Sequence, residues 1–227
     1  NGGSGAPASQ TKTQNVTLTL SSTKPTRSGY TFLGWSDGVS DELITEDFTA
    51  TADVTLTAVY KGNEYLVVFE PNGGSISEST KNVTFGSAYG ELPVPVREEY
   101  EFSGWYTESG KLVTEDTVVT TAEMHILYAK WTKVYTVKFL DVNGELLSSA
   151  EYKADEKVIF PDIVEITGYT FAGWSYSTGG SIITGNVYVD GDMELYARYD
   201  ANKYMVIFVA NGGSVSTTNK TVTYDSE

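Results

Sequence analysis

The heptapeptide Gly29-Tyr-Thr-Phe-Leu-Gly-Trp35 returns as Glu99-Tyr-Glu-Phe-Ser-Gly-Trp105 and again as Gly168-Tyr-Thr-Phe-Ala-Gly-Trp174. The tryptophans stand 70 residues apart (105 − 35) and then 69 (174 − 105). A constant period means one structural unit copied in tandem, and it takes precedence over any prior from chain length. A unit of this size folds with little stability to spare. Its recurring Trp, Tyr and Phe answer that need, since each aromatic buries about 150–250 Å².

Outward from Trp105 the whole unit can be laid out. It opens near Asn63 with Tyr65-Leu-Val-Val-Phe-Glu70, turns at Pro71-Asn-Gly-Gly74 and returns through Lys81-Asn-Val-Thr-Phe85. The proline segment Leu92-Pro-Val-Pro-Val96 and the Trp105 motif follow, and His125-Ile-Leu-Tyr-Ala-Lys-Trp131 closes the unit. The next copy repeats this plan from Tyr135-Thr-Val-Lys-Phe139 through Asp141-Val-Asn-Gly144, Pro161 and Trp174 to Met193-Glu-Leu-Tyr-Ala-Arg-Tyr199. Residues 1–61 form repeat one, 62–132 repeat two, 133–200 repeat three, and 201–227 the first hairpin of a partial repeat four. Repeat one begins at Asn1-Gly-Gly3, the match of Asn72-Gly-Gly74 and Asn211-Gly-Gly213, so it lacks a counterpart of Tyr65–Glu70. Ends out of step with the period are expected of a piece of a longer array.

The local signals are mostly those of strands. Tyr135–Phe139 and Tyr204–Phe208 are β-branched and aromatic, alternating or continuously apolar. Asn-Gly between two such runs predicts a type I′ hairpin turn, because both central residues need positive φ. The prolines Pro25, Pro93, Pro95 and Pro161 cannot lie in a central strand and are assigned to the crossover. A short helical turn is expected near them or near Glu115–Thr117. Simple alternation puts Tyr30 and Phe32 on one face, Leu33 and Trp35 on the other. The Gly before each Trp predicts a bulge or a close backbone approach.

Taken in order, Tyr-x-Val-x-Phe, Asn-Gly-Gly, Pro, Gly-Tyr-x-Phe-x-Gly-Trp and a closing Leu-Tyr-Ala-x-Trp resemble the Listeria–Bacteroides repeat, the family that includes the B-repeat of internalin B. The resemblance covers nearly the whole chain. It departs in the closing Thr57-Ala-Val-Tyr60 of repeat one and in Asn143-Gly-Glu145 of repeat three. It implies a β-rich α+β fold class: small β-grasp-like repeats of about 70 residues, each a mixed sheet with one short helical element, in an elongated array. It also implies an extracellular place on the bacterial cell surface, in the cell wall or secreted. The family offers no shared catalytic residues to carry over.

Composition narrows the partners. Thirty acidic and 15 basic residues leave a net charge of −15, which argues against nucleic acid and against an anionic membrane surface. No apolar run approaches the roughly 20 residues of a spanning helix, so no membrane insertion is expected in this stretch. There is no cysteine, which excludes disulfides and thiolate metal sites.

Candidate chemistry is sparse. Trp35, Trp105 and Trp174 are either stacking platforms for sugars or core anchors, and the small domain size favours the core. Asp141-Val-Asn-Gly144 resembles the start of a calcium loop but lacks the remaining ligands, so a turn is the better account. Asp190, Asp192 and Glu194 alternate along the chain but do not recur in the other copies, which favours a solvated acidic hairpin over a cation site. His125 is the only histidine, and a strand residue is the expected role. Asn15-Val-Thr17, Asn82-Val-Thr84 and Asn219-Lys-Thr221 fit a sequon, although strand propensity explains the threonines. No enzyme activity, cofactor or metal is expected.

Three functional expectations remain. The first is a non-catalytic stalk or spacer, from the tandem period and short links such as Lys61-Gly-Asn63 and Asp200-Ala-Asn-Lys203. The second is a multivalent binding module for host glycan or protein, as in an adhesin. The third is a strand-exchanging subunit of a surface filament: Tyr204, Val206 and Phe208 of one chain would complete repeat one of the next, giving head-to-tail self-association.

Overall fold

The structure, a computed structural model, describes residues 2–163 and 165–226. Asn1 of the first turn motif lies outside them. The first copy holds β1 (Leu18–Thr19), β2 (Tyr30–Ser36), β3 (Asp47–Phe48) and β4 (Thr57–Gly62). The second holds β5 (Glu64–Glu70), β6 (Thr80–Thr84), β7 (Tyr100–Tyr106), β8 (Leu112–Val113) and the start of β9 (His125–Leu140). The remainder of β9, then β10 (Leu146–Lys153), β11 (Tyr169–Ser175) and β12 (Met193–Ala201), build the third. A final hairpin is made by β13 (Lys203–Ile207) and β14 (Asn219–Thr223). The chain divides into two compact units, Asn1–Glu98 with Phe102–Trp131, and Glu99–Glu101 with Thr132–Glu227.

Copies two and three share one sheet plan. In copy two the order is β7-β9-β5-β6, and in copy three β11-β12-β9-β10. The first strand pairs antiparallel with the second on one edge and parallel with the closing strand on the other. The first strand of copy two, Tyr65–Phe69, is paired on both edges but buries one face, with Val67 and Phe69 in the core and Leu66 exposed. The inward residues of the first strand centre each core. In the first unit Val67, Phe69, Trp105 and Leu127 pack together, and in the second Val137, Phe139, Trp174 and Leu195.

The expected helical element is absent among the described residues, and the fold is all β rather than α+β. The reason lies in where the crossover spends its hydrogen bonds. Pro93 and Pro95 have no N–H to give. The donors of Gly86, Tyr89 and Gly90 go sideways to the carbonyls of Val119, Thr117 and Glu115 at 2.8–2.9 Å. A stretch whose donors are committed laterally has none left for an i→i−4 ladder. Near Glu115–Thr117 there is a single turn, closed by the Thr117 N–H on the Thr114 carbonyl at 3.1 Å.

Two local expectations also change. Asn72 and Gly73 both have positive φ (47° and 87°), as do Asn211 and Gly212 (42° and 97°), the dihedral signs of a type I′ turn. In copy two the turn sits inside a wider connection, because Ser75 pairs with Val96 and β6 starts only at Thr80. In the Trp motif the β2–β4 register slips between Phe32 and Gly34, and the β11–β12 register between Phe171 and Gly173. That bulge breaks the alternation, so Phe32 and Trp35 share a side, their rings 5.3 Å apart, while Leu33 is exposed. The glycine before Trp lets the following arm approach. A Cβ on Gly104 would stand 2.8 Å from Leu112, and one on Gly173 2.6 Å from Ile182.

Candidate functional site

The three motif tryptophans lie in the cores, with Trp35, Trp105 and Trp174 9%, 1% and 6% exposed. Trp105 and Trp174 offer no open indole face to a pyranose ring, whereas Trp35 borders a cavity. Trp105 packs on Phe69 at 4.9 Å and Phe102 at 5.5 Å, and donates its indole N–H to the Pro93 carbonyl at 2.8 Å. Trp174 meets Phe139 at 5.2 Å, Phe160 at 6.1 Å and Phe171 at 5.7 Å. Trp35 has the Phe32 contact, which matches Phe102 and Phe171, but no first-strand phenylalanine beside it.

Where that phenylalanine would stand, copy one has a cavity of about 630 Å³. Its walls include Trp35, Phe48, Val54 and Leu56, and the segment Ala6–Lys12 rims it. Leu127 and Leu195, the equivalents of Leu56, are fully buried, whereas Leu56 is only half-buried. The residues matching β6 lie around Thr11–Thr17 and form no strand, because no first strand gives them an edge to pair with. Among the described residues the Tyr60 hydroxyl is buried without a hydrogen-bond partner. Its counterpart Trp131 donates its indole N–H to the carbonyl of Pro71, the residue that follows the first strand of copy two.

The joints between copies form a second recurring site. Asn63 donates its backbone N–H to the Gly29 carbonyl at 2.9 Å and accepts the Phe85 N–H at 2.9 Å, and Thr31 Oγ1 donates to its Oδ1 at 2.5 Å. Asn202 does the same with Gly168, Tyr224 and Thr170, at 2.8, 2.8 and 2.6 Å. In both joints an aromatic ring covers the glycine: Phe85 against Gly29 with Tyr30 edge-on at 5.1 Å, and Tyr224 against Gly168 with Tyr169 edge-on at 5.5 Å. At the third joint Glu99 replaces the glycine, with φ 61°, and the ring position is Ala154. Here the linking residue is dropped: the Val134 N–H itself bonds the Glu99 carbonyl at 2.9 Å. Ion pairs Lys133–Glu99 (2.7 Å) and Lys153–Glu101 (2.6 Å) flank it. The exchange of Gly and ring for Glu and Ala was present in the sequence, but only the register of β10 on β9 aligns Ala154 with Phe85.

The other sequence candidates are engaged in structure. His125 Nδ1 donates to the Glu123 carbonyl at 3.0 Å, which leaves Nε2 to accept from the Tyr89 hydroxyl at 2.7 Å. Burial pushes the Tyr89 hydroxyl pKa up. Asp141 accepts the backbone N–H groups of Glu145 and Asn143 at 2.8 Å, and these hold its carboxyl below the ordinary range. Asp192 accepts the Thr136 N–H at 2.8 Å, and Glu194 accepts the Tyr196 hydroxyl at 2.9 Å. Among the described residues no group of three His, Cys, Asp or Glu is placed to hold a metal ion, and no helix is long and apolar enough to cross a membrane. Tyr204, Val206 and Phe208 are exposed, on or next to a strand that, among the described residues, pairs with β14 alone.

Two whole copies of one all-β unit, each centred on a first strand and a buried tryptophan, with a copy without that strand before them and a lone hairpin after them, define a tandem repeat protein. The chain belongs to the Listeria-Bacteroides repeat domain family, which it matches over residues 1–59, 65–130 and 135–198. It is 36% identical over 200 residues to a protein of Evansella cellulosilytica named "Putative Gly-rich membrane protein", a match spanning 83% of this chain and 23% of that protein. It is also 36% identical over 88 residues to internalin H of Listeria monocytogenes, spanning 37% of this chain and 15% of the internalin. The chain thus spans about a quarter or less of the length of these relatives.

Proposed function

We propose that this chain is a non-catalytic stalk or spacer within a bacterial cell-surface protein. The observation that carries the reading is the joint built twice on one design, Asn63 with Gly29 and Phe85, Asn202 with Gly168 and Tyr224. Each joins a closing strand to the next first strand through a single residue, so no flexible linker intervenes at either joint. Repeats that touch only their neighbours through such joints transmit position along an array. The relatives' names, a membrane protein and an internalin, support the surface location. The net charge of −15 suits a segment that stays soluble and keeps neighbouring copies apart.

Multivalent binding to host glycan or protein gains no support from Trp105 and Trp174, whose indoles are buried. Small-angle scattering at low protein concentration tests the stalk. The expected distance distribution is that of a rod, and it broadens when Gly-Ser residues are inserted after Asn63. A compact globular distribution, unchanged by the insertion, overturns the reading.

A further inference from the structure

We infer that each whole copy is a load-bearing clamp, in which tension along the chain shears the first strand against the closing strand. This deepens the stalk reading and rests on it, since a segment strung between two points is one that carries tension.

Where the chain enters and leaves a copy decides how tension acts on it. The chain enters copy two through β5 and leaves through the closing segment of β9, and the two are parallel neighbours, residues 67–70 against 125–128. It enters copy three along β9 and leaves along β12, again parallel neighbours, residues 137–140 against 193–196. In a parallel pair the entry of one strand and the exit of the other lie at opposite ends. A pull on both slides one strand along its partner. In an antiparallel pair entry and exit would share one end, and the same pull would peel the strands apart. Peeling frees about 3.3 Å of each strand for every residue pair it opens. Sliding loads all the pairs together and breaks them within the reach of their hydrogen bonds. The same contacts are lost over a shorter path, so the force is higher. Forced opening is governed by that barrier rather than by equilibrium stability.

The sheet guards the pair. β9 and β5 are the two central strands of β7-β9-β5-β6, and β12 and β9 of β11-β12-β9-β10, so a further partner backs each sliding strand. One face is sealed by the core: Val67, Phe69 and Leu127 in copy two, and Val137, Phe139 and Leu195 in copy three, are at most 2% exposed. Hydrogen bonds sheltered from water on that side are the stronger for it. Tension also arrives without slack, because Asn63 alone separates β4 from β5, and β9 runs on from copy two into copy three. The open faces carry different chemistry. Across the pair Val68 faces Ile126 in copy two, whereas Lys138 faces Glu194 in copy three, ion-paired at 3.6 Å. What both copies keep is the parallel central pair itself.

Single-molecule force spectroscopy on the full chain tests the clamp, with copy two loaded in two directions. The chain has no cysteine, so introduced thiols are unique points of attachment. Glu64, Glu123 and Lys130 are exposed, and the fold tolerates their replacement. Glu64→Cys with Lys130→Cys sets the handles at opposite ends of the parallel pair and loads it in shear. Glu64→Cys with Glu123→Cys sets both handles at the end where the pair begins and peels it. At one loading rate the shear variant is expected to open at a severalfold higher force than the peeling variant, while their thermal midpoints stay close. A merely structural pairing would make no such distinction of direction. Equal forces in the two directions, or a lower force in shear, overturn the inference. Scattering judges the stalk separately: a globular particle whose copy two resists shear sinks the stalk and spares the clamp, and a rod whose copy two slides as easily as it peels does the reverse.

Discussion

Copies one and two are the same unit with and without a first strand, and the difference shows what that strand holds together. In copy two Phe69 reaches Trp105 at 4.9 Å, Leu127 is fully buried and β6 forms a five-residue strand. In copy one Trp35 keeps its place, but Leu56 is only half-buried and the matching second strand is not formed. The first strand therefore supplies the edge on which β6 pairs and the side chains that pack on Trp105 and Leu127. Phe69→Ala breaks copy two most severely, at about 3–5 kcal/mol, and collapses hydrogen-exchange protection across β5 and β6. Phe208→Ala, at the same position of an exposed hairpin, changes monomer stability by no more than about 0.5 kcal/mol. Equal losses at the two sites would show that Phe69 is not the centre of its core.

The closing strands sharpen the same comparison. Leu127→Ala empties a filled site and costs about 2–5 kcal/mol. Leu56→Ala enlarges a cavity that already exists and costs roughly 1 kcal/mol, in proportion to the area it now buries. Denaturant unfolding followed by exchange at individual amides separates the two copies, which a single transition midpoint does not.

Much of this was legible in the sequence, and what was not has physical causes. The period, the first-strand pattern of Tyr65–Phe69 and the positive φ at Asn72-Gly73 follow from side-chain chemistry that a short window contains. The bulge at the glycine before each Trp was also readable, but not its effect of turning Phe32 and Trp35 to one side, since simple alternation carries the pattern straight through. The missing helix turns on a long-range choice, the lateral bonds from Gly86, Tyr89 and Gly90 to residues 115–119, which no local propensity encodes. The cavity beside Trp35 was not legible, because its walls come from positions spread over some 50 residues that only the fold brings together.

The joints give a second contrast of the same kind, an aromatic on glycine against alanine beside glutamate. A Cβ on Gly29 would lie 2.5 Å from the Phe85 ring, and the residue has φ 79°. Gly29→Ala therefore adds backbone strain to overpacking and costs about 2–4 kcal/mol. Adding Phe85→Ala to it opens the room that Ala154 provides at the third joint, so the double variant loses less than the sum of the two single changes. A thermodynamic cycle on the two positions measures that coupling. Strict additivity would mean that the ring and the glycine are not in contact.

Glu99→Gly is the mildest change and the most discriminating, because two effects of opposite sign meet there. A non-glycine residue at φ 61° holds about 1 kcal/mol of strain that glycine removes. The same change deletes the ion pair to Lys133, which raises the Lys133 pKa through the hydrogen bond that the ammonium donates to the Glu99 carboxylate. A lysine with a raised folded-state pKa adds stability that is present below its unfolded pKa and is lost as pH climbs through the folded value. Both members of this pair are exposed, so its contribution is small and weakens with salt. Strain outweighs the ion pair, and Glu99→Gly is expected to stabilise the third joint by less than about 1 kcal/mol. The gain should be larger in high salt, where the wild type has already lost the pair, and larger again above the lysine pKa. Thermal unfolding at two salt concentrations and at neutral and strongly alkaline pH reads both trends. A net loss at every salt concentration would mean that the Lys133–Glu99 contact, rather than the backbone at Glu99, decides the stability of that joint.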